Sequence, residues 1–154
     1  MKDTSTPSQS MKALYDADFH AWTQEQAKLL REHQWDLVDV ANLIEEVETL
    51  GRQERRELRN RLTVLLGHLL KWHFQPQKQS NSWLATIREQ RREVATLLQE
   101  NPSLKAYLSE ALQLAYQSGI DLAVRETELP YETFPEICPY ILEQILSSGF
   151  CRPE

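Results

Sequence analysis

The segment from Arg52 to Phe74 constrains this chain more than any other. Leu58, Leu62, Leu65, Leu66, Leu69, Leu70 and Trp72 recur there at helical spacing and cover well over half of a helical wheel. A helix that is apolar nearly all round must be surrounded by other helices. The segment is therefore expected as the central element of an all-helical fold. Gln75-Pro76 closes it, because the residue before a proline is pushed out of the α region.

The flanking segments supply its neighbours. A first helix is expected from Asp16 or Asp18, either of which can cap it, to about His33, with Phe19, Trp22, Gln26, Leu29 and Leu30 on one face. Asp36 is expected to cap a second helix with Leu37, Val40, Leu43, Ile44, Val47 and Leu50 as its buried stripe. Gly51 stops or bends that helix, unless it continues unbroken. Ser80 or Ser82 caps a fourth helix, Trp83 to about Gln99, with Ile87, Val94, Leu97 and Leu98 inward. Asn101-Pro102 restarts a fifth, which reaches about Glu126 and carries Gly119 on its inward face, where a close helix–helix approach is allowed. Leu129 to Pro135 forms an irregular link, and Pro139 opens a short last helix ending near Ser147. Residues 1–14 read as a flexible N-terminal segment and residues 15–154 as a single all-helical domain. The expected fold class is all-α, a compact antiparallel bundle of five to six helices with a central apolar helix.

Charge and composition narrow the function. A net charge of −6 disfavours general binding to nucleic acid or to an anionic membrane. The most apolar stretch, Leu62 to Trp72, is interrupted by Thr63, Gly67, His68 and Lys71 and is too short to span a bilayer. Met1 to Ser10 has no apolar leader, so a cytoplasmic location is expected. Cys138 and Cys151 are expected as free thiols there. The chain has no phosphate-binding glycine loop, no Glu-x-x-His pair and no His-Glu-x-x-His helix. No metal or cofactor is therefore expected.

Three groups of residues stand out. Glu48, at the edge of the second stripe, and Gln90 and Arg91, in or beside the fourth, are polar where the pattern is apolar. An unpaired buried polar group costs about 1–3 kcal/mol, so the three are expected to form one inter-helix network. That network either fixes helix register or, with Lys71 and Trp83, lines a small-ligand site. Arg52, Arg55, Arg56 and Arg59 share one helix face. They either bind phosphates or an acidic partner, or pair with Glu54, Glu57 and the glutamates of the second helix. Arg61 and His68 stack two turns apart. That arrangement resembles the ribonuclease motif of the helical HEPN superfamily, although Leu62 replaces the polar residue that normally follows the arginine.

A longer motif string covers Tyr15 to Phe150. It comprises Tyr15-Asp16-Ala17-Asp18-Phe19-His20-Ala21-Trp22, Asn42-Leu43-Ile44-Glu45-Glu46-Val47-Glu48, and Gly51-Arg52-Gln53-Glu54-Arg55-Arg56-Glu57-Leu58. His68-Leu69-Leu70-Lys71-Trp72, Gln75-Pro76, Ser82-Trp83, Thr86-Ile87, Gln90-Arg91, Phe134-Pro135 and Cys138-Pro139-Tyr140 continue it. The string resembles the bacterial, mainly cyanobacterial, domain-of-unknown-function family numbered twenty-nine. The resemblance implies an all-α fold and no assigned activity. The resulting expectation is a non-enzymatic binding or protein-interaction module with an unknown protein partner and an unspecified oligomeric state. Trp35, lying between two helices, is the tryptophan most expected at an interface. The alternatives are a metal-independent ribonuclease using Arg61 and His68, and a ligand-binding bundle.

Overall fold

The computed structural model describes residues 7–150, with side chains from Ser10 onward. Residues 1–6 and Cys151 lie outside the described residues. Among those described there are six α-helices joined by short 3-10 turns, and no strand. No helix is long and apolar enough to cross a membrane. The packing divides into two compact units, Met1–Arg52 and Gln53–Glu154.

The first unit opens with α1, Pro7–Ala17, and α2, Phe19–Arg31, packed on each other. The flexible segment expected through residue 14 is thus helical from Pro7. Its composition is polar, but its Met11 and Tyr15 side chains contact Gln26 and Trp22 of α2, and that packing holds it. Asp18 caps α2 as expected, accepting from the Ala21 amide at 3.0 Å. A 3-10 turn over Trp35–Leu37 follows, and α3, Val40–Phe74, begins after it. The cap of α3 is Asp39, whose carboxylate accepts from the Asn42 amide, and not Asp36, which the 3-10 turn takes up. Gly51 neither stops nor breaks α3, so the expected second and third helices are one.

The second unit holds the core. From Leu58 onward α3 is walled in as its pattern requires, with Leu58, Leu62, Leu65, Leu66, Leu69 and Leu70 fully buried. Its partners are α4, Asn81–Glu100, and α5, Leu108–Thr127. Ser80 caps α4, accepting from the Trp83 amide at 3.2 Å. Pro102 opens a 3-10 turn, Pro102–Tyr107, rather than the first turn of α5 itself. Side-chain pairings give the directions. Arg61 reaches Glu93 and Lys71 lies over Trp83, so α4 runs against α3. Arg59 reaches Tyr107 and Lys71 reaches Glu126, so α5 runs back parallel to α3. The α3–α5 approach is closest at Gly67 and Gly119, where a Cβ on either would lie 3.2 Å or less from the other helix. This is the close approach expected of Gly119. The chain ends in a 3-10 turn, Tyr131–Thr133, and α6, Leu142–Leu146.

Candidate functional site

Within the first unit, a buried polar clasp sets the start of α3. Trp22 Nε1 donates to Asp39 Oδ2 at 3.1 Å, and Asn42 Nδ2 donates to the same oxygen at 2.8 Å. The Asp39 amide donates to Gln26 Oε1 at 2.7 Å. One turn on, Tyr15 donates its hydroxyl to Glu46 at 2.5 Å, and that bond, ahead of burial, pushes the phenol pKa up to about 12. Phe19 stacks on Trp22 beside the clasp, and Tyr15 meets both rings edge-to-face. Sequence reading did not single out Asp39, and it named Asn42 only within the motif string. The only local signal was a second aspartate three residues after Asp36.

These bonds turn one side of α3 toward α1 and α2, leaving Asn42, Leu43 and Glu46 half-buried. The next sector of the helix is uncovered. Val40 is 55% exposed, Ile44 53%, Val47 59% and Leu50 61%. This corrects the expected burial of that stripe. Val40, Ile44 and Val47 share the helix face of Leu58, Leu62 and Leu65, because eighteen residues make about five whole turns. One apolar face is therefore covered along its second half and bare along its first. Beyond it lie Glu45, Glu48 and Arg52, all exposed, with Arg52 paired to Glu45 at 3.1 Å and to Glu48 at 3.7 Å. Trp35 is 58% exposed, as expected of the inter-helix tryptophan.

The expected Glu48–Gln90–Arg91 network takes a different form. Glu48 is exposed and paired along its own helix, so it is not a buried partner. Arg91 is buried and donates to the carbonyls of Ile145, Phe150 and Gln144 at 2.8, 2.8 and 3.1 Å. It thereby anchors the end of α6 and the chain beyond. Gln90 Oε1 is buried without a hydrogen-bond partner among the described residues. Lys71 and Trp83 are brought together, with the ammonium 4.5 Å from the indole centroid. Lys71, 4% exposed, also donates to Glu126 Oε2 at 2.5 Å. Sequence reading missed Glu126, which lies on a helix whose apolar pattern did not single it out.

The arginine face is divided among local partners. Arg52 pairs with glutamates of the earlier α3 turns. Arg55 lies 4.8 Å over the Tyr107 ring, and Arg59 donates to the Tyr107 hydroxyl at 2.9 Å. Arg56 is exposed. Arg61 sits between Glu57, at 2.8 Å, and Glu93, at 3.8 Å. The ring of His68 meets the Val64 carbonyl at 2.9 Å, and burial pulls its pKa below the usual histidine value. Tyr140 ties the last segment to α3, donating to the Leu69 carbonyl at 3.1 Å.

Residues 14–151 match the family model described as a domain of unknown function, DUF29. The chain belongs to this family. No curated protein and no solved structure matches it. The architecture accounts for many motif residues of this DUF29 chain. Tyr15, Trp22, Asn42 and Glu46 form the clasp, Lys71 stacks on Trp83, Arg91 and Tyr140 hold the C-terminal segment, and the Pro135 carbonyl accepts the Tyr116 hydroxyl. Ile44 and Val47, in the same string, hold no comparable place in the core and face solvent.

Proposed function

We propose that this DUF29 chain is a protein-interaction module whose binding element is the first half of α3. The observation that carries the reading is the uncovered row of Val40, Ile44, Val47 and Leu50. Fully burying such a side chain is worth about 1.5–3 kcal/mol. With more than half of each side chain still exposed, the row holds roughly 4 kcal/mol of unrealised burial, assigning about 1 kcal/mol to each residue. The clasp supports the same reading, because it holds this half of α3 in place before any partner arrives and so reduces the ordering cost of binding.

The reading is tested with a photo-crosslinking amino acid at Val47, compared with the same residue at Gln99, which is exposed on α4. Discrete protein adducts at position 47 and none at 99 are expected in the native cell. Equal, diffuse labelling at both positions would count against the module. The ribonuclease alternative has weaker support, because carboxylates on both sides of Arg61 repel a phosphate there. The ligand-site alternative retains Lys71 and Trp83 as neighbours but loses Glu48 as a buried member.

A further inference from the structure

We infer that the uncovered face of α3 pairs with the same face of a second copy of this chain, the two helices running antiparallel. The inference rests on the interaction-module reading and names the partner. Its basis is the order of charge along the flank of the apolar row. Glu45 and Glu48 come first and Arg52 follows, all more than half exposed. When two identical helices pack antiparallel about a twofold axis, each flank faces the same flank of the other copy in reverse order. Acid then meets base at both ends of the contact. A parallel pairing would instead set this flank against the opposite flank of the other copy, where Glu46 would meet the same glutamates and no base would answer them.

The apolar row fits the same register. Setting Glu45 of one copy opposite Arg52 of the other places Val47 opposite Leu50, and the twofold axis repeats both pairs. The present Arg52 pairings are between exposed groups on one helix. Such pairs contribute little to stability, so exchanging them for pairs across the seam costs little. The seam is short against the roughly 800 Å² per partner of a standard interface, so the expected dimer is reversible and concentration-dependent.

The test uses sedimentation velocity on the full chain from low micromolar to sub-millimolar concentration. Two variants accompany it, Arg52→Glu and the double variant Glu45→Arg with Glu48→Arg. The altered side chains are exposed, so helix content and melting are expected to match the parent. The parent should dimerise, and each variant alone should self-associate at least tenfold more weakly. An equimolar mixture of the two variants should recover association. A parent that stays monomeric, or variants that self-associate like it, would overturn the inference. Spin labels at Val40 or Val47, with Cys138 and Cys151 replaced by serine, read the direction. Antiparallel pairing puts two Val47 positions within about 5 Å along the axis of register, and two Val40 positions about 25 Å apart. Short distances at both sites would mean parallel packing and overturn it. Position 47 adducts with another protein from a monomeric chain would defeat self-pairing and leave the module reading standing. A monomeric chain with no adduct would defeat both.

Discussion

Adding one methyl group at Gly119 and at Gly51 should move stability in opposite directions. Both glycines sit inside helices, where alanine is favoured over glycine by about 1 kcal/mol. At Gly51 a new Cβ would meet nothing within 4 Å, so the gain should be realised in full. At Gly119 the same Cβ would lie 3.2 Å from the Gly67 nitrogen, 3.2 Å from Leu66 Cβ and 3.4 Å from the Thr63 carbonyl oxygen. These atoms belong to the α3 backbone or sit one bond from it, and none can swing aside by a rotamer change. The two helices would have to separate by a few tenths of an ångström, and overpacking of this kind costs about 1–3 kcal/mol. Set against the propensity gain, Gly119→Ala should lose up to about 2 kcal/mol, while Gly51→Ala should gain about 1 kcal/mol. Urea titrations followed by circular dichroism, with unchanged slopes, would read both from the midpoints. A Gly119→Ala protein as stable as Gly51→Ala would show that α3 and α5 do not touch at this point, and the packing argument would fail.

Arg91→Met should lower the melting temperature and speed amide exchange over residues 144–150, because three carbonyls lose a charged donor. Unchanged exchange in that segment would count against the anchoring role. Glu126→Gln should destabilise by about 1–3 kcal/mol, because it leaves a buried ammonium short of its anion, whereas Lys71→Met should be near neutral. A larger loss for Lys71→Met than for Glu126→Gln in denaturant titration would reverse that assignment. His68 should make stability fall with acid. Burial holds its folded-state pKa below 6.5, so between the two values the unfolded chain binds more protons. Its contribution is full above the unfolded pKa and is lost as pH falls through the folded one. His68→Gln should flatten that part of the stability–pH profile, and an unchanged slope would refute the reading.

What could be read ahead of the structure was local. The caps at Asp18 and Ser80 need only a side chain three residues from an orphan amide. The central helix after Leu58 and the inward Gly119 follow from a 3.6-residue period. The site was less legible. Lys71–Trp83 was named from its residues, but Glu126 and the three carbonyls held by Arg91 lie more than fifty residues away in the chain. Helical spacing within one segment carries no record of such pairings. Asp36 and Asp39 are equally good caps on paper, and only Trp22 and Gln26, from another helix, choose Asp39.

Periodicity and capping residues make the chain helical, set which faces of its helices are apolar, and mark where most of them begin. Which of those faces is covered is a matter of long-range packing. Val40, Ile44 and Val47 share one face with Leu58, Leu62 and Leu65 and are equally apolar, yet the first three are bare and the last three fully buried. Periodicity records the direction in which a side chain points from its own axis. Burial depends on whether another helix arrives there, and long-range packing settles that outcome.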